Sequence, residues 1–366
     1  MRRIRLGIIG VGQIGKMHLQ EYAKIPDAEI VAACDIDEPE LKRVAEMHQI
    51  PNTYHNFRDL LARDDLDAVD VCLHNNLHAP ATIATLRSGK NVYCEKPMAG
   101  SYVDAKSMLD TARECGKMLH IQLFTLYTKE TKIAKELIDG GQLGKVYHAR
   151  STGYRRKGRP FVDGYGTAFF VQKQVAAGGA LFDMGVYHIS QLLYLLGLPK
   201  VERISGKVYQ EMEMDVRRRE SSGFSVEELG TGYVKFAGGA TLDILESWSI
   251  HLNAFEGSSI VGSRGGLRLE PFSFHRDLGD METNTTFELD SIDWRRHQLR
   301  PDQDAYDSSQ RHWVAALQGR VSLLPSAEVA LQTMLVSEGI YLSDRLGREV
   351  SAEEVLDMSA SSAVVL

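Results

Sequence analysis

The segment Gly10-Val11-Gly12-Gln13-Ile14-Gly15 follows directly on the apolar run Ile4–Ile9 and runs straight into a helix-patterned stretch. A strand that turns through three spaced glycines into a helix answers a narrow physical demand, which is to hold a pyrophosphate. The first glycine makes the tight turn, the second lets phosphate approach the backbone, and the third lets the helix pack close to the strand. The free N–H groups at the helix start then meet the negative charge. The spacing alone recurs by chance in glycine-rich loops. Here a strand precedes it, a helix follows it, and Asp35 closes a second apolar run, Ile30–Cys34, about twenty residues on. Gly10, Gly12, Gln13, Ile14, Gly15 and Asp35 therefore form the expected core of a dinucleotide site.

Asp35 also bears on which dinucleotide. A carboxylate there accepts hydrogen bonds from the adenosine ribose and repels a 2′-phosphate. Asp37 adds negative charge, and no Arg stands in Asp35-Ile36-Asp37-Glu38. NAD is expected rather than NADP. A second use of Asp35, closing the strand-to-helix turn, stays open.

A chain of 366 residues exceeds one typical core and points to two domains. In the first 120 or so residues, apolar runs (Ile4–Ile9, Ile30–Cys34, Ala68–Leu73, Val92–Cys94, Met118–Leu123) alternate with helical patterns (Gly15–Ile25, Glu38–His48, Phe57–Ala62, Ala79–Ser88, Tyr102–Cys115). That alternation predicts a Rossmann-type doubly wound parallel sheet of α/β class. Beyond it the rhythm changes. Helices at Thr131–Asp139 and Ala180–Leu196 are followed by strand-like runs at Val201–Tyr209, Gly232–Phe236, Thr241–Ser249, Ser258–Gly262 and Thr285–Leu289. Strands in succession predict a mainly antiparallel, open sheet in an α+β domain. The expected division is 1–123 for the dinucleotide domain and 124–366 for substrate and oligomer contacts, with helices near Asp304–Gln318 and Ser326–Leu346 packing back on the fold. Asp215–Glu220 reads as a solvated loop.

The net charge of −7 excludes a basic nucleic-acid surface. No apolar run approaches the roughly 18 to 20 residues that span a bilayer. Met1-Arg2-Arg3 precedes fingerprint glycines rather than a cleavage pattern, so a cytoplasmic protein is expected. Cys34, Cys72, Cys94 and Cys115 sit at no metal-ligand spacing and read as small buried hydrophobes in strands of a reduced protein. No metal site is expected.

A second signal is Tyr93-Cys94-Glu95-Lys96-Pro97, at the end of a predicted strand on the cofactor side. Pro97 biases Lys96 to extended backbone, projecting its amine into the cleft. There it can serve as general acid/base or as an electrostatic stabiliser, provided burial lowers its pKa.

With the glycine turn, Glu95-Lys96-Pro97 and Gly178-Gly179-Ala180-Leu181-Phe182-Asp183-Met184-Gly185 in view, the chain resembles the glucose–fructose oxidoreductase, inositol dehydrogenase and MocA (Gfo/Idh/MocA) family over essentially its whole length. The resemblance implies an N-terminal Rossmann domain and a C-terminal domain whose open sheet often builds homodimers or homotetramers. It implies oxidation of sugar or polyol hydroxyls with NAD or NADP, with Lys96 as the catalytic lysine and Asp183 as the acid of the motif Asp-x-Gly-x-His. The segment Leu73-His74-Asn75-Asn76-Leu77-His78 is similar to the family's Thr-Pro-Asn-x-x-His beside the nicotinamide ribose, with His74 in place of proline. Leu73, His74, Asn75, His78, Glu95 and Lys96 join the cofactor set on that basis.

The motif's histidine position is Tyr187, with His188 next. On an α-helix Asp183 and Tyr187 lie about 40° apart and share a face, whereas His188 is about 140° away. Glucose–fructose oxidoreductase resembles this chain in having Tyr there. Tyr187 is the expected proton-transfer group, its pKa lowered by Lys96, with Asp183 orienting substrate or tyrosine. His188, a better base by nature, stays open. The loop Tyr154–Lys173 carries Arg, Lys, Tyr and Phe and is similar to the subgroup of glycoside 3-dehydrogenases and levoglucosan dehydrogenases. Tyr154, Arg156 and Lys173 are expected to touch a hydroxyl-rich substrate beside Lys96, Asp183 and Tyr187; a solvated basic loop is the other reading. Together these features predict an NAD-dependent oxidoreductase acting on a secondary hydroxyl of a sugar, glycoside or polyol, at C3 in one version. The rivals are a glycosidase using transient C3 oxidation and a non-catalytic NAD-sensing regulator.

Overall fold

Six strands in the first third of the chain form one parallel sheet: β1 (Ile4–Ile9), β2 (Ala28–Cys34), β3 (Thr53–Tyr54), β4 (Ala68–Val71), β5 (Asn91–Cys94) and β6 (Leu119–Ile121). They are ordered β3-β2-β1-β4-β5-β6 in the computed structural model, which describes residues 2–365. Crossover helices cover both faces, so the central strands are apolar almost throughout instead of alternating. The order reverses between β1 and β4, and a crevice opens at the carboxyl ends of those strands.

One helix begins earlier than its pattern suggests. Pro80 favours a start near Ala79, yet the helix spans Asn75–Arg87 with Pro80 inside it. The ring removes the donor that Asn76 O would otherwise receive. That carbonyl accepts instead from Val364 N at 3.1 Å.

Nine further strands build the second sheet: β7 (Val146–Tyr154), β8 (Val201–Tyr209), β9 (Leu229–Phe236), β10 (Thr241–Ser247), β11 (Ser259–Gly262), β12 (Gly266–Leu269), β13 (Phe272–Leu278), β14 (Met281–Thr285) and β15 (Val350–Ser351). Their order is β14-β13-β12-β11-β7-β10-β9-β8-β15. Only β7 and β10 pair in parallel; every other neighbour is antiparallel. One face packs on helices Val186–Leu195 and Ser326–Leu346, and the other is open. Three expectations are corrected. Asp215–Glu220 is no loop, because Asp215 caps a helix over Val216–Ser222 through Arg218 N. Thr285–Leu289 is no strand: β14 ends at Thr285 and a helix runs Leu289–Leu299. Cys115 caps helix Tyr102–Glu114 and is only half-buried, while the other three cysteines are buried.

The closing helices bind the two sheets together. Behind β5 and β6, His120 stacks on Trp313 (5.8 Å, 10°) and hydrogen-bonds Ser326 Oγ at 2.7 Å, and Tyr93 Oη donates to Ser309 Oγ at 2.8 Å. Among the described residues no helix is long and apolar enough to cross a membrane.

Candidate active site

The glycine turn is closed toward the protein and open toward the crevice. Gly10 has φ +93°, and a Cβ there would lie 2.2 Å from Cys72 O; one on Gly15 would lie 2.1 Å from Gly10 O. A Cβ on Gly12 would meet nothing within 4 Å. Helix Gln13–Tyr22 starts with no side-chain cap and no acid in its first turn, so its N–H groups and dipole end are available to an anion. Gln13 is exposed and Ile14 half-buried beside that opening. Asp35 braces the turn: Oδ2 accepts from Val11 N at 2.8 Å and Oδ1 from Asp37 N at 3.0 Å. Past β6, Gln122 Oε1 is buried without a partner. This open cradle, bare helix end and orphaned acceptor fit a dinucleotide.

After β4, Leu73 is half-buried and His74 is exposed at the start of helix Asn75–Arg87. The His74 ring lies 5.2 Å from Phe169 and 6.5 Å from Phe170, and Asn75 Nδ2 donates to Ala176 O at 2.8 Å. The cofactor-side loop is thus tied to the 168–177 segment. His78 departs from its expected place. It is fully buried, with Nδ1 2.7 Å from Pro97 O and Nε2 3.0 Å from Leu73 O. It braces two loops and presents nothing to the crevice.

Lys96 leaves the end of β5 and crosses to the second domain. Its Nζ donates to Asp183 Oδ1 at 2.8 Å and to Asp183 O at 3.0 Å, and it lies 4.8 Å from the centre of the Tyr187 ring. Asp183 Oδ2 accepts from Trp248 Nε1 at 2.9 Å. Burial pushes the Lys96 amine down, but Asp183, Tyr187 and Glu95 together outweigh it and the amine ends above its ordinary range. Asp183, which burial would raise, is held below its usual value by Lys96. The expected lowering of Lys96 is therefore corrected, because a carboxylate shares its pocket. Tyr187 is corrected likewise: burial outweighs the nearby ammonium and pushes its phenol up to about 12.

Asp183 lies in a π-helical turn, Leu181–Gly185, that leads into helix Val186–Leu195. Its i→i+5 bonding changes the rotation of the residues after it, and Tyr187 and His188 are both half-buried. Tyr187 packs on Phe124 at 4.5 Å. His188 Nδ1 lies 2.9 Å from Glu246 Oε2 on β10, whose Oε1 accepts from Ser151 Oγ at 2.8 Å. Gly153 makes the room: a Cβ there would fall 2.2 Å from the His188 ring. Burial pushes His188 down, but Glu246 more than offsets it and its pKa is raised.

The basic loop divides. Tyr154 follows Gly153 on β7, so strand parity turns it to the opposite face, where it packs on Phe255 at 4.9 Å and donates to Asn253 O. Arg156 and Lys173 are exposed, and none of these three is brought to Lys96. Arg159 is buried between Asp163 and Glu228. Arg155 is the loop's contribution: it bonds Tyr165 Oη at 2.6 Å and acts electrostatically on Asp183 and His188.

Sequence reasoning missed Trp248, Glu246, Arg155 and Glu227. Glu227 is buried and accepts from Gly179 N, Leu181 N and Tyr341 Oη, fixing the turn before Asp183. Glu246 carried a readable signal, since it shares parity with Leu242 and Ile244 on the core face of β10, where an acid needs a partner.

A glycine cradle open at the switch point of a parallel sheet, with a lysine–carboxylate pair spanning to a second domain beside it, defines a dinucleotide-dependent oxidoreductase. Residues 4–123 match the oxidoreductase family with an NAD-binding Rossmann fold, and residues 131–268 match the Gfo/Idh/MocA C-terminal domain. The chain belongs to the Gfo/Idh/MocA family. It is 28% identical over 359 residues to D-glucoside 3-dehydrogenase of Escherichia coli (strain K12), covering 95% of this chain and 97% of that one. It is 27% identical over 194 residues to myo-inositol 2-dehydrogenase of Thermotoga maritima, about half of each chain (53% and 55%). Levoglucosan dehydrogenase in complex with NADH and levoglucosan has the same fold, with a TM-score of 0.80 and 21% identity over 96% of this chain and 100% of that one.

Proposed function

We propose that this chain is an NAD-dependent dehydrogenase of a secondary hydroxyl on a sugar or glycoside, acting at C3 of a glucoside-like ring. The observation that carries it is the Lys96 ammonium, fixed 2.8 Å from Asp183 and stacked over Tyr187 at the mouth of the cradle. The full-length likeness to a D-glucoside 3-dehydrogenase supports the substrate class. Residues 1–123 hold the cofactor and 124–366 the substrate. The cradle Gly10–Gly15 would hold the pyrophosphate, Asp35 the ribose, and the 73–75 segment with Glu95 and Lys96 the nicotinamide end. NAD, when bound, supplies the hydride acceptor.

Lys96 donates to the substrate hydroxyl oxygen and stabilises the negative charge that grows there. Asp183 aligns the amine and accepts from a neighbouring hydroxyl. Tyr187 exchanges the proton: a phenol that keeps its hydrogen through neutral pH serves as the acid toward a ketone and, at higher pH, as the base toward an alcohol. A second reading is favoured by the His188–Glu246 pair at 2.9 Å, in which His188 takes that proton. Two copies are proposed to meet through the open sheet face, where Tyr209 and Tyr233 are exposed.

The test is a panel of hexoses, inositols and glycosides with NAD and with NADP, following absorbance of the reduced nicotinamide. Net reduction of NAD by a glucoside, with a 3-keto product, is expected. Glycoside cleavage without net NADH would favour transient oxidation, and tight binding with no redox change would leave only a sensor.

A further inference from the structure

One turn along the helix from the glycine cradle, His18 is buried at 2% exposure. It belongs to helix Gln13–Tyr22, whose first turn forms the cradle. Its Nδ1 lies 2.9 Å from Asp70 Oδ2 on β4, and its Nε2 lies 2.8 Å from Glu95 Oε1 at the end of β5. An ionised carboxylate only accepts hydrogen bonds. With both carboxylates ionised the ring donates from both nitrogens and is cationic; burial pushes that cation down, but Asp70 and Cys72 hold its pKa well above the ordinary histidine value.

The remaining groups around it leave the charge where it is. Asp70 Oδ1 accepts from the Cys72 thiol at 3.4 Å. Burial pushes Cys72, Tyr93 and Tyr22 upward, so all three stay neutral. Glu95 is the link outward: its Oε2 accepts from the Lys96 backbone N at 2.8 Å. Charges thus alternate along one line, Asp70, His18, Glu95, Lys96, Asp183, from the sheet interior to the proposed substrate site. The same side chain joins the cradle helix to the residue that carries Lys96.

We infer that His18 is the positioning residue for Lys96: an imidazolium clamped between Asp70 and Glu95 that fixes the carboxylate holding the Lys96 backbone. Without that cation, two buried carboxylates would face each other and one would take up a proton. A protonated Glu95 holds the Lys96 amide less firmly, and the amine loses its register on the substrate oxygen. The inference rests on the role proposed for Lys96.

Two measurements on the full chain test it. Ring-nitrogen NMR of histidine-labelled enzyme should show His18 doubly protonated from pH 6 to 8, losing that state in Glu95→Gln; a neutral tautomer at pH 7 overturns the inference whatever the activity. His18→Gln should bind NAD within about threefold of the parent while kcat falls about ten- to a hundredfold. The acid limb of its kcat profile should move to higher pH, reporting the carboxylate that now protonates. A fall in NAD affinity that accounts for the whole loss, or an unmoved profile, would make His18 a packing residue only. Should His18→Gln not fold, the NMR of the parent enzyme still decides. If Lys96→Met keeps full turnover, the proposed chemistry fails while the His18 charge state stands or falls on its own.

Discussion

The three cradle glycines should separate stability from cofactor binding when each is changed to Ala. At Gly10 a side chain must adopt φ +93° and stand 2.2 Å from a backbone carbonyl. The left-handed conformation costs about 1 to 2 kcal/mol, and relieving a contact with fixed backbone brings the total to at least about 3 kcal/mol. Gly15→Ala meets backbone at 2.1 Å and should cost a similar amount. At Gly12 φ is −64° and the space is empty. There Ala caps the helix less well than Gly, by about 0.5 to 1 kcal/mol, but it restricts the unfolded chain by about the same amount. Gly12→Ala should therefore melt within about 2 °C of the parent, while the other two melt roughly 4 °C or more lower. Binding should show the reverse dissociation. A methyl group in the opening keeps phosphate off the N–H groups, and one charge-assisted hydrogen bond is worth about 1.5 to 3 kcal/mol, or about ten- to a hundredfold in Kd. Thermal unfolding and calorimetric titration with NADH read the two effects. Parental Kd in a folded Gly12→Ala would refute the assignment of this turn to the pyrophosphate.

Lys96→Met should lower kcat by about a hundredfold or more with NAD affinity nearly unchanged, measured by steady-state rates beside titration. Tyr187→Phe keeps the ring under the ammonium and removes only the hydroxyl. It should cost about a hundredfold in kcat, and sugar oxidation by the parent should rise steadily with pH because the phenol sits at about 12. If instead the acid limb vanishes in His188→Asn and persists in Tyr187→Phe, the raised His188 is the base, active only above its own pKa. Stability carries a separate pH signature. His312 is buried and accepts from Leu324 N through Nε2 at 2.9 Å, and burial lowers its pKa to about 4. A histidine depressed in the folded state contributes fully above the unfolded value of about 6.5 and loses up to about 3 kcal/mol as pH falls toward 4. Denaturant unfolding at pH 7 and pH 4.5 should show that loss, reduced in His312→Gln.

The parallel sheet was legible because buried strands between covering helices are mostly apolar, and Ile4–Ile9 and Ala68–Val71 each carry a single charged residue, Arg5 and Asp70. The far end of the large sheet was not. In β13 and β14, Phe272–Leu278 and Met281–Thr285, much of the strand is exposed, so no alternation marks which face is inward. The misplaced helix start at Ala79 has a different cause. Pro80 prefers a first turn, but Val364, some 284 positions along the chain from Pro80, compensates for the missing donor, and no local pattern announces a partner that distant.

At the site, spacing found the groups while tertiary context decided their states. Lys96 and Asp183 were named from separate motifs, and their contact at 2.8 Å inverts the pKa argument made for Lys96: a lysine beside a carboxylate is raised where a lone buried lysine would be lowered. The helical reckoning that set His188 apart from Asp183 assumed the wrong geometry, so it does not choose between Tyr187 and His188. Counting 100° per residue assumes an α-helix from Asp183 onward, and the turn Leu181–Gly185 is π-helical. One added residue in that turn rotates everything after it, so the residue reckoned far from Asp183 comes round to face Glu246. Gly153 supports this arrangement from outside the helix. A Gly153→Ala variant would place a methyl 2.2 Å from the His188 ring and 2.3 Å from Glu246 Oε2. It should break that ion pair while leaving Lys96, Asp183 and Tyr187 in place. If kcat and its pH dependence then match the parent, His188 takes no part in proton transfer and the burden rests on Tyr187. If the neutral-pH limb shifts or kcat falls about tenfold, the π-turn has put a second acid–base group at the substrate.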